Sequence, residues 1–407
     1  MPGFAAAVTG LGLITPAGIG VEANWERVTS GRPTAAIDPE LDGLPVKFAC
    51  RVPDFDPAAS LGEQNTWQLD RHQQLALVAA HEAIRDARLS PGSWDGSRVA
   101  VVLGSGAGGS STMETQQTRF LERGAAKVSA LTLPMGLVNM AAGRLAIEFG
   151  ARGPNLTVCT ACASGASAIG TGRDLLRSGA ADVVIVGGTE AVVTPLFVAA
   201  FNRMRALSRN NSDPGGASRP FDEARDGFVI SEGAAVLVLE GERHAQARGA
   251  RARGHVIGYG ASADGHHITA PDVEGAGAEQ ALRTAMRDAD LTAEEVQHVN
   301  AHGTSTPLND VAEAATIRRV IGDDVAVTST KGVTGHALGA AGAIEAAYSV
   351  LALQHACVPP TANLENPDPR VDVDLVAGAA RAGDIRVALS NSFGFGGQNA
   401  VLAFARA

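Results

Sequence analysis

Short runs of β-branched and apolar residues alternate along this chain with longer stretches in which apolar residues recur at helical spacing, the pattern of an α/β protein with mostly buried strands. The runs predict strands over residues 5–12, 99–104, 156–160, 182–186, 234–240, 255–259, 298–301, 325–328, 386–391 and 400–404. The periodic stretches predict helices over 69–88, 137–149, 163–178, 276–289, 310–321 and 342–355. Between 240 and 254 the sequence is polar, basic and punctuated by glycine, which reads as a hinge between two halves that each alternate strand and helix. Residues 209–218 and 363–370 read as ordered, turn-rich loops, and no repeat of solenoid type is present.

Composition narrows the function classes. A chain of 407 residues with 45% apolar and 19% charged residues can bury a sizeable core and is too apolar for disorder. Its net charge of −10 disfavours nucleic acid and anionic lipid, so neither nucleic acid nor membrane is expected as a partner. An acidic partner would need a local basic patch. Arg203, Arg205 and Arg209 form one such stretch, whereas Arg248, Arg251 and Arg253 read as solvated surface. Met1-Pro2-Gly3-Phe4 carries no basic stretch before an apolar one, and Pro2 departs from the myristoylation pattern, so a cytoplasmic location is expected. Four cysteines, Cys50, Cys159, Cys162 and Cys357, are too sparse for a disulfide framework and point instead to thiol chemistry.

Four segments carry candidate chemistry. In LTVCTACASGA a predicted strand gives way to an alanine-rich helix, which places Cys162 in the first helical turn. Free backbone N–H groups and the helix dipole there favour a thiolate, although a small buried apolar residue fits the segment equally well. Cys159, within the strand, reads as core filler, and the Cys159-x-x-Cys162 pair lacks the second pair or histidines that a zinc site needs. In NAHGTSTP, His302 closes a strand at its carboxyl end, where α/β proteins collect catalytic groups. In KGVTGHALGAAG, glycines let His336 approach a ligand, with Lys331 upstream; each histidine alone also suits a surface or core position. In NSFGFGGQN the glycines free backbone N–H groups for an anion or developing oxyanion, or make only a tight turn between packed phenylalanines.

One motif argues for a different class. GSGAGG after the strand at 99–104 matches the dinucleotide-binding pattern of an NAD(P)-dependent oxidoreductase. That pattern also requires a helix opening at the loop and a second strand ending in an acidic residue; residues 110–123 are polar and no such strand follows, so the oxidoreductase is set aside.

TACASG, NAHGTSTPLND, KGVTGHALGAAG and NSFGFGG in this order, with SRPFDEARDGF at 218–228, resemble the elongating, Cys-His-His type of β-ketoacyl-acyl-carrier-protein synthase over essentially the whole chain. The resemblance implies a thiolase-like fold of two similar α/β halves in five α-β-α-β-α layers, here expected as residues 1–248 and 249–407. It implies Cys162 as the acyl-accepting nucleophile, His302 and His336 as the pair that stabilises the enolate formed by malonyl decarboxylation, and backbone N–H groups of Cys162 and Phe393 as the oxyanion hole. Lys331 would order the histidines in partnership with Glu345, and Thr304 and Thr306 would hold the phosphopantetheine arm, with Ala107, Gly394 and Phe395 against the substrate. The chemistry suits these residue types: a Claisen condensation needs a soft nucleophile for the first acyl group and donors in place for the enolate oxygen. No cofactor and no metal is assigned, including at His266 and His267 beside Asp264, because the resemblance places that loop at the active-site mouth.

Initiating synthases carry asparagine where this chain has His336, thiolases carry a second catalytic cysteine in a context unlike that of Cys357, and chain-length factors lack the nucleophile. The departures are Ala107 where many fatty-acid enzymes have a bulky apolar gate, Gln398 where threonine or histidine is common, and no lysine or arginine in residues 63–68, where bacterial relatives meet their carrier protein. Together they imply a type II polyketide ketosynthase making polyene or reduced chains, with housekeeping fatty-acid elongation as the alternative. The implied partners are acyl carrier protein and either a second copy or a chain-length-factor-like subunit.

Overall fold

The computed structural model describes residues 4–92 and 94–407. Met1, Pro2 and Gly3, on which the cytoplasmic expectation rested, lie outside the described residues, as do the side chains of Gln64 and Asn65 in the carrier-facing stretch.

The principal strands are β1 (Ala6–Thr15), β2 (Val99–Gly104), β3 (Asn155–Val158), β4 (Val183–Ala191), β5 (Glu232–Gly241), β6 (Gly254–Ala263), β7 (His298–Asn300), β8 (Ala326–Thr328), β9 (Val387–Gly394) and β10 (Gln398–Ala405). The principal helices are α1 (Val21–Thr29), α2 (Arg71–Asp86), α3 (Ser110–Arg123), α4 (Met140–Phe149), α5 (Ser164–Arg177), α6 (Pro195–Arg203), α7 (Ala276–Asp288), α8 (Asn309–Val320) and α9 (Ala341–His355). Every predicted strand and helix exists. β1, β4 and β9 run on beyond their predicted ends because the glycine, threonine and polar residues there remain paired and mostly buried.

The strands order as β1-β5-β4-β2-β3 in the first half and β6-β10-β9-β7-β8 in the second, with the same parallel and antiparallel senses at corresponding places. The chain thus builds one motif twice. Helices α5 and α9 pack on each other and on strands of both halves, while α2 and α4 cover the outer face of the first half and α7 that of the second, with α8 packed beside α7. This is the five-layered, thiolase-like arrangement. The central layer explains the composition: α9 is buried on all sides from Ala341 to Leu353, so no apolar stripe marks it in the sequence. Its approach to α5 needs glycine, since a Cβ on Gly165 would lie 2.6 Å from Ala343 N and one on Gly342 2.8 Å from Ala166 N.

The halves are fused and not hinged. β1 pairs antiparallel with β6 over Ala6–Val8 and Gly254–Val256, joining the two sheets edge to edge. Beyond Val8 the strands part, and Asp86 and Glu82 of α2 accept the Leu11 and Leu13 N–H groups at 2.9 Å. The predicted hinge is anchored: it begins as the end of β5, forms a short helix at Glu242–Ala247, and is held where buried Glu240 bonds Thr9, His244 and Arg248. Arg248 and Arg253 are therefore not free surface cations, Arg253 bridging to Asp86 at 2.6 Å; Arg251 is exposed. The loops at 209–218 and 363–370 are ordered against each other through Asn363 Nδ2, which donates to Gly215 O and Ser218 O at 2.8 Å. No helix among the described residues is long and apolar enough to cross a membrane.

Arg173 of α5 ties the halves from inside. Fully buried, it donates to Phe4 O and to Ile257 O at 2.8 Å and pairs with Asp288 of α7 at 2.6 Å. Truncation would strand the Phe4 and Ile257 carbonyls and leave Asp288 with only Arg177 and the Tyr259 N–H. Arg173→Ala is expected to lower unfolding stability by about 3 kcal/mol in denaturant titration, whereas a loss below about 1 kcal/mol would show that water replaces the guanidinium.

Candidate active site

The carboxyl ends of β3, β7, β8 and β9 converge on one cavity of about 380 Å³ whose lining includes Cys162, His302, Thr304, Thr306, His336, Phe393, Gly394 and Phe395. The sequence signals at those positions are therefore parts of a single site. Lys331 and Glu345 lie buried beneath it, and Ala107 packs into the apolar cluster that also holds Cys162, Val193, Val198 and Leu338.

Cys162 sits just before the helix and not in its first turn. Helix α5 starts at Ser164 with Ala163 as its N-cap, and Cys162 precedes the cap on a tight turn in which Ala161 takes a positive φ of 49°. The expected lowering of its pKa is not found. Burial pushes the thiol up to about 11, outweighing the Phe395 N–H that donates to the sulfur and the nearby charge of Lys331. Cys162 is thus a thiol at neutral pH and would have to lose its proton to react as a nucleophile. Cys159 departs more plainly from core filler: it lies one residue past β3, the edge strand, and is exposed.

The two imidazoles meet edge to face with centroids 5.3 Å apart. Both titrate well below the usual histidine range, chiefly because they are buried and secondly because Lys331 faces them, so both are neutral. Lys331 Nζ lies 3.4 Å from His302 Nδ1; an ammonium can only donate, which leaves the proton of that ring on Nε2. Lys331 also forms a buried ion pair with Glu345, a short contact, and burial raises the Glu345 carboxyl while Lys331 pulls it down. The Thr304 and Thr306 hydroxyls bond each other at 2.9 Å on the cavity wall.

Several residues that build the site were not foreseen. Glu313 of α8 accepts the His302 and Gly303 N–H groups at 2.7 Å and Asn391 Nδ2 at 3.0 Å, fixing the His302 loop. Arg225 donates to Thr306 O and Pro307 O and pairs with Asp368 at 2.8 Å, holding the threonine turn from behind. Met204, Phe228 and Leu338 complete the apolar wall. A charged residue inside a strongly patterned element was the available sequence signal, as at Glu313 in NDVAEAATI. Of the basic stretch, Arg205 lines the cavity mouth, Arg203 is exposed, and Arg209 bonds Asn202 Oδ1 at 3.0 Å.

No group of three or more His, Cys, Asp or Glu among the described residues is arranged to hold a metal ion. His266 and His267 are exposed, His267 Nδ1 accepting from Thr269 and Ala270 N–H, while Asp264, Thr269 and Ala270 line the cavity. Among the described residues, Asn300 Oδ1, Glu345 Oε2, Ser390 Oγ and Asn391 Oδ1 are buried with no hydrogen-bond partner. Contrary to expectation, helix α3 does open directly at the GSGAGG loop. The Gly106 and Ala107 amides, which would cradle a pyrophosphate, instead donate to the carboxylate of Glu190, and that engagement is what opposes a dinucleotide there.

"Beta-ketoacyl synthase, N-terminal domain" matches residues 5–245 and "Beta-ketoacyl synthase, C-terminal domain" matches residues 253–365. Over 404 residues, 98% of this chain and 97% of the relative, the sequence is 46% identical to a 3-oxoacyl-[acyl-carrier-protein] synthase 2 of Synechocystis sp.. The fold superposes on a solved structure titled the ishigamide ketosynthase/chain length factor at 34% identity and TM-score 0.92, with both chains fully covered. It superposes equally, at 30% identity, TM-score 0.92 and full coverage of both chains, on a type II polyketide ketosynthase bound to the hexaketide and in complex with its acyl-carrier protein.

The elevated thiol pKa sets a pH profile. Alkylation of Cys162 by iodoacetamide, read by peptide mass in a Cys159→Ala background, is expected to rise about tenfold per pH unit from 7 to 10. A plateau below pH 8 would mean that the resting nucleophile is already a thiolate.

Proposed function

The chain belongs to the beta-ketoacyl synthase family and is a β-ketoacyl-acyl-carrier-protein synthase, an acyltransferase; from that premise we propose how its site works and which pathway it serves. The observation that carries the reading is the convergence of Cys162 and two neutral histidines on one cavity.

Cys162 Sγ attacks the carbonyl carbon of an acyl thioester, its proton passing to the departing thiol of the carrier's phosphopantetheine arm, and the acyl group stays on the cysteine. The oxyanion of this step sits at the Cys162 N–H and, in place of the expected Phe393 N–H, at the Phe395 amide, which lies on the sulfur, with Gly394 against the acyl group. Malonyl-carrier protein then binds with its arm along Thr304 and Thr306. Loss of carbon dioxide leaves an enolate whose oxygen accepts from His302 Nε2–H and from His336. Neutral donors suit this task, since they stabilise the growing charge without first being deprotonated by the substrate carboxylate. The enolate carbon attacks the Cys162 thioester, a carbon–carbon bond forms as the carbon–sulfur bond breaks, and the departing thiolate takes a proton from solvent water, its first proton having left with the carrier thiol. Residues 1–248 supply the nucleophile and 249–407 the histidines, a division supported by the two domain matches.

We place the enzyme in a type II polyketide system, as the ketosynthase for a polyene or reduced chain, in complex with acyl carrier protein and a second copy or chain-length-factor-like subunit. Ala107, small within the apolar cluster around Cys162, supports this, as do the solved ketosynthases it resembles over their whole length. Fatty-acid elongation is the second reading, favoured by the 46% identity to a 3-oxoacyl-[acyl-carrier-protein] synthase 2.

Intact mass after mixing with acyl-carrier proteins is expected to show an acyl increment on wild type and none on Cys162→Ala; no increment on wild type refutes the assigned nucleophile. Conjugated polyenoyl chains should load at least as fast as saturated ones of equal length, the reverse favouring fatty-acid elongation. His302→Ala should keep this acylation yet lose about 100–1000-fold in malonyl decarboxylation, measured by release of labelled carbon dioxide.

A further inference from the structure

Strand β4 ends in the one charged residue of an otherwise apolar run, and Glu190 there is fully buried. Its Oε2 accepts from Gly106 N–H at 2.7 Å and from Gly339 N–H at 3.1 Å, and its Oε1 from Ala107 N–H at 3.2 Å and Ser105 Oγ at 3.2 Å. The three amides come from two loops on opposite halves of the fold. Neither loop leaves space for an alternative: a Cβ on Gly339 would lie 2.5 Å from both Glu190 Oε2 and Gly106 N, and one on Gly106 2.9 Å from Oε2. The first loop carries Ala107 into the apolar cluster around Cys162. The second follows His336 and carries Leu338, which lines the cavity beside Cys162.

We propose that Glu190 is a positioning residue that sets both loops at once, so that the fit of a long acyl chain against Ala107 and the placement of His336 depend on one carboxylate. The inference rests on Cys162 being the acyl acceptor. A carboxylate offers only acceptors and can serve all four donors, whereas an amide replaces one oxygen with a donor that faces N–H groups and forces a loop away. A short acyl group ends before it meets the displaced loop; a long one has to pack against it.

The test compares acylation of Cys162 by butyryl- and dodecanoyl-carrier protein in wild type and Glu190→Gln, with circular dichroism confirming that each is folded at the assay temperature. The dodecanoyl-to-butyryl rate ratio is expected to fall about tenfold in Glu190→Gln, with a matching loss in malonyl decarboxylation. A residue that only stabilised the fold would lower both acylation rates by the same factor. An unchanged ratio in folded Glu190→Gln, with wild type acylated normally, overturns the inference and leaves the nucleophile assignment standing. Failure of wild type to take either acyl group overturns both. If Glu190→Gln does not fold, Ser105→Ala removes one donor to Glu190 together with the acceptor of the Gly108 N–H in the same loop, and a smaller fall in the same ratio supports the coupling while no fall overturns it.

Discussion

The site depends on a charge kept out of water. Lys331 and Glu345 form an ion pair with both side chains almost wholly buried, under two histidines that are buried as well. Taking these charges from solvent is costly, and the cost is offset only because the pair is close and Lys331 has a second acceptor in His302. The gain is functional. The ammonium disfavours a second positive charge on either imidazole and leaves the His302 proton on Nε2, so that in the proposed mechanism the donors are in place before negative charge develops. Glu345 comes from the central helix α9 and Lys331 from the loop after β8, so the electrostatics of the site follow from how the central layer is packed.

Around that pair, carboxylates hold backbone. Glu313 fixes the His302 loop, Glu190 the Gly106 and Gly339 loops, and Asp310 of α8 the Phe221 amide at 2.9 Å. Loops that must present N–H groups, glycines and small residues to a substrate have few side chains of their own with which to pack. Buried acceptors aimed at their amides supply the rigidity that packing cannot.

Much of this was legible because buried strands in α/β proteins are continuous apolar runs, and the chemistry-bearing residues stand where those runs stop: Cys162 after β3, His302 after β7, Phe395 after β9. Helix α3 was not legible, since Ser110 is its only buried residue and Met113, Phe120 and Leu121 remain exposed, so it has no inward apolar stripe. Cys159 misled because an apolar-looking strand was assumed to be covered on both sides, and β3 is an edge. The thiol pKa of Cys162 was misjudged because spacing reveals the approach of a helix but not the depth of burial, and desolvation outweighs the dipole. Glu190 and Arg225 act on chain segments distant in sequence, which no local pattern encodes, whereas Glu313 grips a loop only about ten residues upstream, and its charge within the helix was the available sign.

The seam between the halves also bears on how the protein is made. β1 is an early strand, apolar and buried along its length, yet apart from a short pairing of its end with Gly18–Ile19 its partners are β5 and β6, more than two hundred residues later. During synthesis it therefore leaves the ribosome long before either neighbour exists, and contacts of such long range form slowly. Helix α2 emerges in between, with Glu82 and Asp86 able to take two of the waiting amides and its apolar face able to cover the strand. The β1–α2 contact can thus form before β5 arrives to close the first half and β6 to join the second to it, and the finished fold keeps it.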